Sequence, residues 1–288
     1  MDYGIGPDGT AGRPSEAEAG RLLHTALDLG INLIDTARAY GESEAIIGRT
    51  LKARRREFIL CSKVSSFHGQ SPATGELRSK IMASIHESLR LLQTDVIDLM
   101  QLHCAVAEVK VADEVISILH DARENGEIRW LGASVYGEEA AYQALQSGAF
   151  DCVQVACSML DRRLERRFLS EAAVRNLGVV ARSVLLKGAL TGRYRHLPEP
   201  MAPLRECVER LDAVAIRHGM SLPEMAYRYV GTREMPQTAL VGASSVEEVE
   251  CAVRFAAAGP LPDEAVQAIH EVSIADERWL NPGAWPLG

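Results

Sequence analysis

Three residues of complementary chemistry lie close together in the first quarter of the chain. Asp35 follows the apolar residues 32–34, Tyr40 comes five residues later beside a glycine, and Lys63 closes a second apolar stretch that begins at residue 58. A lysine ammonium near a phenol stabilises the phenolate and lowers the tyrosine pKa, and an aspartate beside the lysine keeps it charged and aimed. A tyrosine tuned in this way can act as an acid or a base at neutral pH. Each residue taken alone also has a structural explanation, as a helix cap, a packing residue or a solvated charge.

The elements that must position these residues alternate along the chain. Short apolar runs predict seven strands, which begin near residues 32, 58, 96, 130, 152, 179 and 238. Amphipathic patterns predict helices over residues 15–30, 43–54, 77–91, 111–124, 138–146, 166–176, 205–218, 222–229, 246–255 and 263–276. This alternation indicates the α/β class with a parallel sheet, most simply a (β/α) barrel formed by a single domain over residues 1–288. The carboxyl ends of the strands, where Asp35 and Lys63 lie, are where such a barrel carries its chemistry.

The composition argues against several classes of partner. The 288 residues are 47% hydrophobic and 24% charged, as in ordinary globular proteins, and the formal net charge is −8. Without a basic stripe, neither nucleic acid nor an anionic membrane is expected as a partner. We find no secretory signal and no apolar run of the roughly 18 residues that a membrane span needs. Self-association is left open.

The six cysteines include no C-x-x-C pair. Two of them, Cys61 and Cys152, sit inside apolar strand-like runs, so we expect reduced and mostly buried thiols in a cytoplasmic protein. The pair His103–Cys104 is not supported by a second cluster of ligands, and no metal site is predicted.

Residues 30–44, Gly-Ile-Asn-Leu-Ile-Asp-Thr-Ala-Arg-Ala-Tyr-Gly-Glu-Ser-Glu, resemble the signature of the aldo-keto reductases. The resemblance runs from about residue 15 to about residue 255 and is most specific in its first half. It implies a (β/α)8 TIM-type barrel that reduces an aldehyde or ketone to an alcohol with NAD(P)H. Through it, four residues fall on the family's catalytic tetrad: Asp35, Tyr40, Lys63 and His103. Tyr40 would protonate the developing alkoxide, Lys63 would ease that transfer, and His103 would orient the carbonyl oxygen or relay the proton.

The resemblance also implies a nucleotide site. Ser134 and Gln154 would hold the nicotinamide carboxamide, although Val135 stands where the family has asparagine. Arg182 takes the place of a tyrosine that often stacks on the nicotinamide. The stretch after it resembles the pyrophosphate loop and supplies Ser183, Leu185, Lys187 and Gly188. Lys187 has an equally good explanation as a solvated loop charge.

The adenosine end of this implied site departs most from the family. Gly242, Ser244 and Ser245 keep a strand–turn–helix layout in which backbone N–H groups could hold a phosphate at a helix N-terminus. Glu248 stands where the family often has arginine or glutamine, and a carboxylate there would repel a 2′-phosphate. The implied cofactor is NADP(H) by family habit. NAD(H), weak binding or no dinucleotide stay open.

The strand count leaves one barrel strand unaccounted for. Relatives begin with an apolar strand upstream of a stretch like Tyr3-Gly4-Ile5, and this strand is missing here. We expect that the natural start lies upstream of Met1 and that residues 1–14 form no regular barrel strand. A cleft or mobile region is then expected beside residues 32–35 and 238–241, because seven strands cannot close an eight-stranded barrel.

Two other functions compete with the reductase. The first is a non-redox enzyme on the same scaffold, in which Tyr40 and Lys63 perform elimination or isomerisation. The second is a non-catalytic interaction protein. The substrate would lie against Phe67 and His68, the loop after His103, and a tail that contains Trp279 and Trp285; that tail could equally be packed over the barrel.

Overall fold

The computed structural model describes residues 14–64, 74–103, 112–232 and 236–286. In these residues seven strands follow the order β1 to β7 along one sheet, each strand beside the next in sequence. The strands are β1 Leu33–Asp35, β2 Ile59–Val64, β3 Ile97–His103, β4 Ile128–Ser134, β5 Cys152–Ala156, β6 Gly178–Arg182 and β7 Thr238–Ala239. The predicted α/β class with seven parallel strands is therefore confirmed.

Helices separate these strands, as the sequence predicts. They are α1 Glu16–Asp28, α2 Ser43–Leu51, α3 Thr74–Leu92, α4 Ala112–Glu124, α5 Gly137–Ser147, α6 Phe168–Val174, α7 Ala202–Arg217, α8 Leu222–Gly231, α9 Val246–Ala257 and α10 Asp263–His270. No helix within the described ranges combines the length and the apolar character needed to cross a membrane.

The described residues group into two compact units. The first contains residues 15–155 and 167–180, and the second contains residues 156–166 and 181–286. The single-domain interpretation stays a prediction.

In the first unit, α1 begins as the sequence predicts. The Ser15 hydroxyl accepts the Glu18 N–H at 3.3 Å, and the Glu18 carboxylate accepts the Ser15 N–H at 2.9 Å, which completes a capping box. Leu22 and Leu27 are buried along one face of the helix. Helix α1 packs on α2, α2 on α3 and α3 on α4, so the helices follow the order of the strands.

The register of the parallel strands in the first unit determines which polar residues lie beside each other on neighbouring strands. Asp35 pairs with Cys61, and Lys63, two residues further along β2, pairs with Gln101 on β3. His103 in turn pairs with Ser134 on β4. Because side chains alternate across a sheet, Lys63, Gln101 and His103 point to the same face.

The second unit has a core built from β6, the helices α7 to α10 and the C-terminal tail. Trp279 and Trp285 are both buried in this core, and the Trp285 indole N–H donates to the Trp279 carbonyl at 3.1 Å. The tail is therefore packed into the core of the second unit.

The structure corrects the predicted end of the last helix. Helix α10 ends at His270, not near residue 276. The next residues include Val272, Ser273 and Ile274, whose β-branched or hydroxyl side chains are poor helix formers. The predicted absence of a strand in residues 1–14, the wall formed by Phe67 and His68, and Cys104 fall on residues 1–13, 65–73 and 104–111, which lie outside the described ranges.

Candidate active site

Lys63 and Asp35 form a buried ion pair at the carboxyl ends of β2 and β1. The Lys63 Nζ lies 2.5 Å from Asp35 Oδ2 and donates a second hydrogen bond to the Thr36 carbonyl at 2.9 Å. The Lys63 side chain is 0% exposed and that of Asp35 is 12% exposed. A pair so withdrawn from water needs good hydrogen-bond geometry to offset its desolvation, and the second acceptor helps to supply it.

The other carboxylate oxygen of Asp35 receives two amide donors. Gln101 Nε2 lies 3.2 Å from Asp35 Oδ1, and Gln154 Nε2 lies 2.9 Å from the same oxygen. Both glutamines are buried. Gln154 was predicted to hold the nicotinamide carboxamide, whereas Gln101 was not among the residues predicted from the sequence. The alternation of polar residues within β3, at Gln101 and His103, is the signal that could have identified it.

Tyr40 lies over the ion pair in the turn that follows β1. The Lys63 Nζ is 5.1 Å from the centroid of the Tyr40 ring, close enough for a cation–π contact. The His103 ring stands edge-on to it, with 5.7 Å between the two centroids and an angle of 83° between the two planes. The structure therefore brings together all four residues that the sequence analysis places in the catalytic set.

The turn that carries Tyr40 is anchored at both ends. The Thr36 hydroxyl donates to the Ser43 hydroxyl at 2.9 Å, and the Tyr40 N–H donates to the Ala37 carbonyl at 2.9 Å. The next residue along α2, Glu44, is fully buried.

Glu44 ties the start of α2 to β2. Its carboxylate accepts the Ser62 hydroxyl at 2.6 Å and pairs with Arg38 at 2.6 Å. Tyr40 thus lies in a segment that these hydrogen bonds attach to β2, the strand that carries Lys63.

Ser134 and Gln154 lie side by side on β4 and β5. The Ser134 hydroxyl donates to Gln154 Oε1 at 3.3 Å, and the Val135 N–H donates to the Gln154 carbonyl at 3.0 Å. Since Gln154 also donates to Asp35, hydrogen bonds connect the predicted carboxamide residues to the ion pair.

Two thiols lie close to this network. Burial raises the pKa of the Cys61 thiol well above its usual range, and the negative charge of Asp35 raises it further. Burial likewise raises the pKa of Cys152 to about 12, with smaller contributions from the charges of Asp151 and Asp35. Both cysteines are unpaired and stay protonated at neutral pH, so neither acts as a nucleophile there.

The predicted pyrophosphate loop belongs to the second unit. Ser183, Leu186 and Lys187 have φ values of 61°, 46° and 55°, in the left-handed region that non-glycine residues rarely adopt. The Arg182 guanidinium donates to the Ser183 hydroxyl at 3.3 Å. Such conformations cost about 1–3 kcal/mol each and cluster at functional sites.

The Glu248 carboxylate on α9 is bound by Ser244, another of the predicted adenosine-end residues, and by Arg193. Its Oε2 accepts the Ser244 N–H at 2.7 Å and the Ser244 hydroxyl at 3.0 Å, and its Oε1 pairs with Arg193 at 2.5 Å. Ser245 caps α9 by accepting the Glu248 N–H at 3.2 Å. Arg193 was missed by the sequence analysis, because nothing local marks a residue 55 positions away as a partner of Glu248.

Gly242 and Leu185 are two further residues of the second unit that were predicted for the nucleotide site. Gly242 is exposed, and a Cβ built on it would meet nothing within 4 Å. Leu185 is half-buried and packs against the core of the second unit.

Parallel strands alternating with helices, and an acid, a lysine and a histidine at the ends of neighbouring strands, define an α/β protein with its candidate active site at the carboxyl ends of its strands. The model of the "Aldo/keto reductase family" matches residues 3–274. The chain therefore belongs to the aldo-keto reductase family, and it is an NAD(P)H-dependent oxidoreductase of a family that acts on small carbonyl compounds.

Individual relatives are similar over most of their length. Aldo-keto reductase YhdN of Bacillus subtilis is 29% identical over 83% of this chain and 78% of its own. The NADH-specific methylglyoxal reductase of Escherichia coli is 28% identical over 76% of this chain and 77% of its own. The solved structure of aldo-keto reductase AKR11C1 from Bacillus halodurans in its holo form is 29% identical, with a TM-score of 0.76 over 92% of this chain and 90% of its own.

Proposed function

We propose that this protein reduces an aldehyde or ketone to the alcohol and that Tyr40 is the general acid. The observation that carries the proposal is the position of the Tyr40 ring over the buried Lys63–Asp35 pair, with the His103 ring against its edge. An ammonium fixed in a water-poor site stabilises negative charge on a neighbouring phenol far better than a solvated one.

The proton follows a short route. A bound reduced nicotinamide would supply the hydride to the carbonyl carbon. As negative charge develops on the carbonyl oxygen, the Tyr40 O–H bond breaks and its proton passes to that oxygen. Lys63 stabilises the phenolate that remains, and Asp35 keeps Lys63 in place. The His103 ring lies on the Tyr40 side of the strand ends, where it can orient the carbonyl oxygen.

The residues of the second unit suit an anionic ligand. The Ser244 N–H and hydroxyl and the Arg193 guanidinium already bind one anion, the carboxylate of Glu248. A 2′-phosphate directed to these donors would have to displace that carboxylate, whereas ribose hydroxyls would find it a ready acceptor. We therefore propose that NADH is preferred over NADPH. A relative that is 28% identical carries the name NADH-specific methylglyoxal reductase, in line with this preference.

Nucleotide binding followed by turnover tests the proposal. Titrations with NADH and NADPH, monitored by nicotinamide fluorescence, should give saturable binding with NADH tighter. A panel of small aldehydes and ketones should then oxidise the bound nucleotide. Binding of neither nucleotide, or turnover of a substrate without nucleotide, would overturn the reductase. The non-redox alternative gains no support from the relatives, which carry the names of reductases and oxidoreductases. We also propose that the reaction takes place in the cytoplasm, where thiols such as those of Cys61 and Cys152 stay reduced.

A further inference from the structure

Among the residues that the structure describes, Gln101 is the side chain on Asp35 that belongs neither to the tetrad nor to the predicted nucleotide site. It is 0% exposed, and its register on β3 places it opposite Lys63 on one side and Gly132 on the other. Its Nε2 donates to Asp35 Oδ1 at 3.2 Å. In the described part of the chain, Gln101 and Gln154 thus donate to Oδ1 of Asp35, and Lys63 donates to Oδ2.

The other end of the Gln101 amide indicates why the residue is there. Its Oε1 is buried and has no hydrogen-bond partner among the residues that the structure describes. If the Gln101 amide were rotated by about 180°, its oxygen would face the Asp35 carboxylate. Two hydrogen-bond acceptors would then be in contact, which is unfavourable. A buried acceptor left in this way destabilises the folded state, and an apolar side chain of the same volume would avoid the loss. The hydrogen bond from Gln101 to Asp35 therefore comes with a cost to the stability of the folded state.

Gly132 provides the space that this arrangement needs. A Cβ on Gly132 would lie 3.0 Å from Gln101 Cγ and 3.0 Å from the Cys152 carbonyl oxygen. Because real Cβ atoms are seldom so close to a neighbour, a larger residue at position 132 would displace the Gln101 side chain from its present conformation.

We propose that Gln101 is a positioning residue for carbonyl reduction, which acts through Asp35 on Lys63 and Tyr40. The proposal rests on the proposed function. Two amides on Oδ1 fix the plane of the Asp35 carboxylate and disperse part of its charge, so that Oδ2 stays on Lys63 without neutralising it fully. Lys63 then retains the positive charge that stabilises the Tyr40 phenolate when the proton leaves. Gln101 itself gains and loses no proton.

Gln101→Met separates this role from a packing role. Methionine keeps the volume and removes both the donor and the buried oxygen. If Gln101 is a positioning residue, the Gln101→Met variant should keep or raise the melting temperature. Its kcat should fall about tenfold or more, because the proton donor is less well placed. The KM for nucleotide should hardly change. A packing role predicts the reverse, a lower melting temperature with kcat preserved.

Gln143→Met on α5 is the matched control. Gln143 also donates its amide to a carboxylate, that of Glu139 at 3.0 Å, and also has a buried Oε1 without a partner in the described residues. The same substitution there should leave kcat at the wild-type value.

Gln101→Glu supplies the pH readout. At high pH it places a second carboxylate against Asp35 and should be less active than Gln101→Met. As the pH falls, the Glu carboxyl protonates, donates again to Asp35 Oδ1 and should restore much of kcat. A flat ratio of variant to wild-type kcat across pH would contradict the proposal.

A titration without substrate or nucleotide separates this proposal from the proposed function. Tyrosinate absorbance is followed in the wild type and in Gln101→Met, each against its Tyr40→Phe partner, so that the difference reports Tyr40. The phenol should ionise at a higher pH in Gln101→Met, because Lys63 is more fully neutralised. Coincident titrations overturn the role of Gln101 whether or not the protein reduces carbonyls. A shifted titration in a protein that reduces none would overturn only the reductase.

Discussion

Lys63 on β2 and Asp35 on β1 meet 2.5 Å apart in a site that leaves the lysine side chain no exposure to solvent. Both members of the pair make further hydrogen bonds: Lys63 also donates to the Thr36 carbonyl, and Asp35 also accepts from Gln101 and Gln154. A buried ion pair is a costly way to stabilise a fold. Its position under the Tyr40 ring agrees instead with the role in proton transfer that we propose for it.

Lys63→Met is expected to destabilise the protein as well as to inactivate it. The substitution leaves the Asp35 carboxylate buried without its cation, which typically costs about 3–5 kcal/mol. Chemical unfolding of the single variants and of Asp35→Asn/Lys63→Met measures this. The double variant should be less destabilised than the sum of the two singles, and a strictly additive result would mean that the two side chains do not depend on each other.

Tyr40→Phe should leave nucleotide affinity near the wild-type value and lower turnover by about 10²-fold or more, the usual contribution of a positioned proton donor. The folded state should tolerate the change, because the ring contacts with Lys63 and His103 remain. Steady-state kinetics with the best carbonyl of the panel, and nucleotide titration of the same preparations, provide the measurement. Wild-type turnover in this variant would remove Tyr40 as the acid.

Glu248→Arg should shift the nucleotide preference toward NADPH. The change removes the carboxylate from the Ser244 donors, releases Arg193 and adds a second cation. Charged hydrogen bonds of this kind contribute about 1.5–3 kcal/mol, or roughly tenfold to a hundredfold in affinity. Glu247→Arg is the matched control, since Glu247 is exposed one position earlier in the first turn of α9. An NADPH/NADH affinity ratio that rises equally in both variants would reflect net charge alone.

The buried thiols predict a loss of stability at alkaline pH. In the folded protein the pKa of Cys152 is raised to about 12 and that of Cys61 is raised well above its usual range, whereas in the unfolded chain both thiols ionise near their ordinary pKa of about 8.5. Above that pH the unfolded state binds fewer protons, so the free energy of unfolding falls by up to about 1.4 kcal/mol per pH unit for each thiol.

Denaturant unfolding between about pH 8 and pH 10 tests whether the free energy of unfolding falls as the pH rises. This is roughly the pH range in which the raised thiol pKa values should have an effect. Cys152→Ala should have a smaller slope than the wild type. Equal slopes in the two proteins would mean that the Cys152 thiol does not titrate differently in the folded and unfolded chains.

Local patterns in the sequence were sufficient to predict most of the helices and strands and to place candidate catalytic residues at strand ends. The α1 capping box depends on two residues three positions apart, and the seven strands are marked by short apolar runs with polar residues at their ends. Asp35, Lys63 and His103 each lie at the end of a strand, and parallel strands bring these ends to one edge, while the assignment of these three and Tyr40 to a tetrad came from the family resemblance. These features are local or follow from topology, so the order of residues along the chain is enough to predict them.

Only the tertiary structure decided which polar side chains meet. Gln101 and Gln154 reach the Asp35 carboxylate from 66 and 119 residues away, and Arg193 reaches Glu248 from 55. Such partnerships depend on strand register and on the space left by neighbours, as Gly132 leaves it for Gln101. A shift of register by one residue would turn each of these strand side chains to the opposite face of the sheet. Register is set by packing over the whole sheet, and no local pattern in the sequence encodes it.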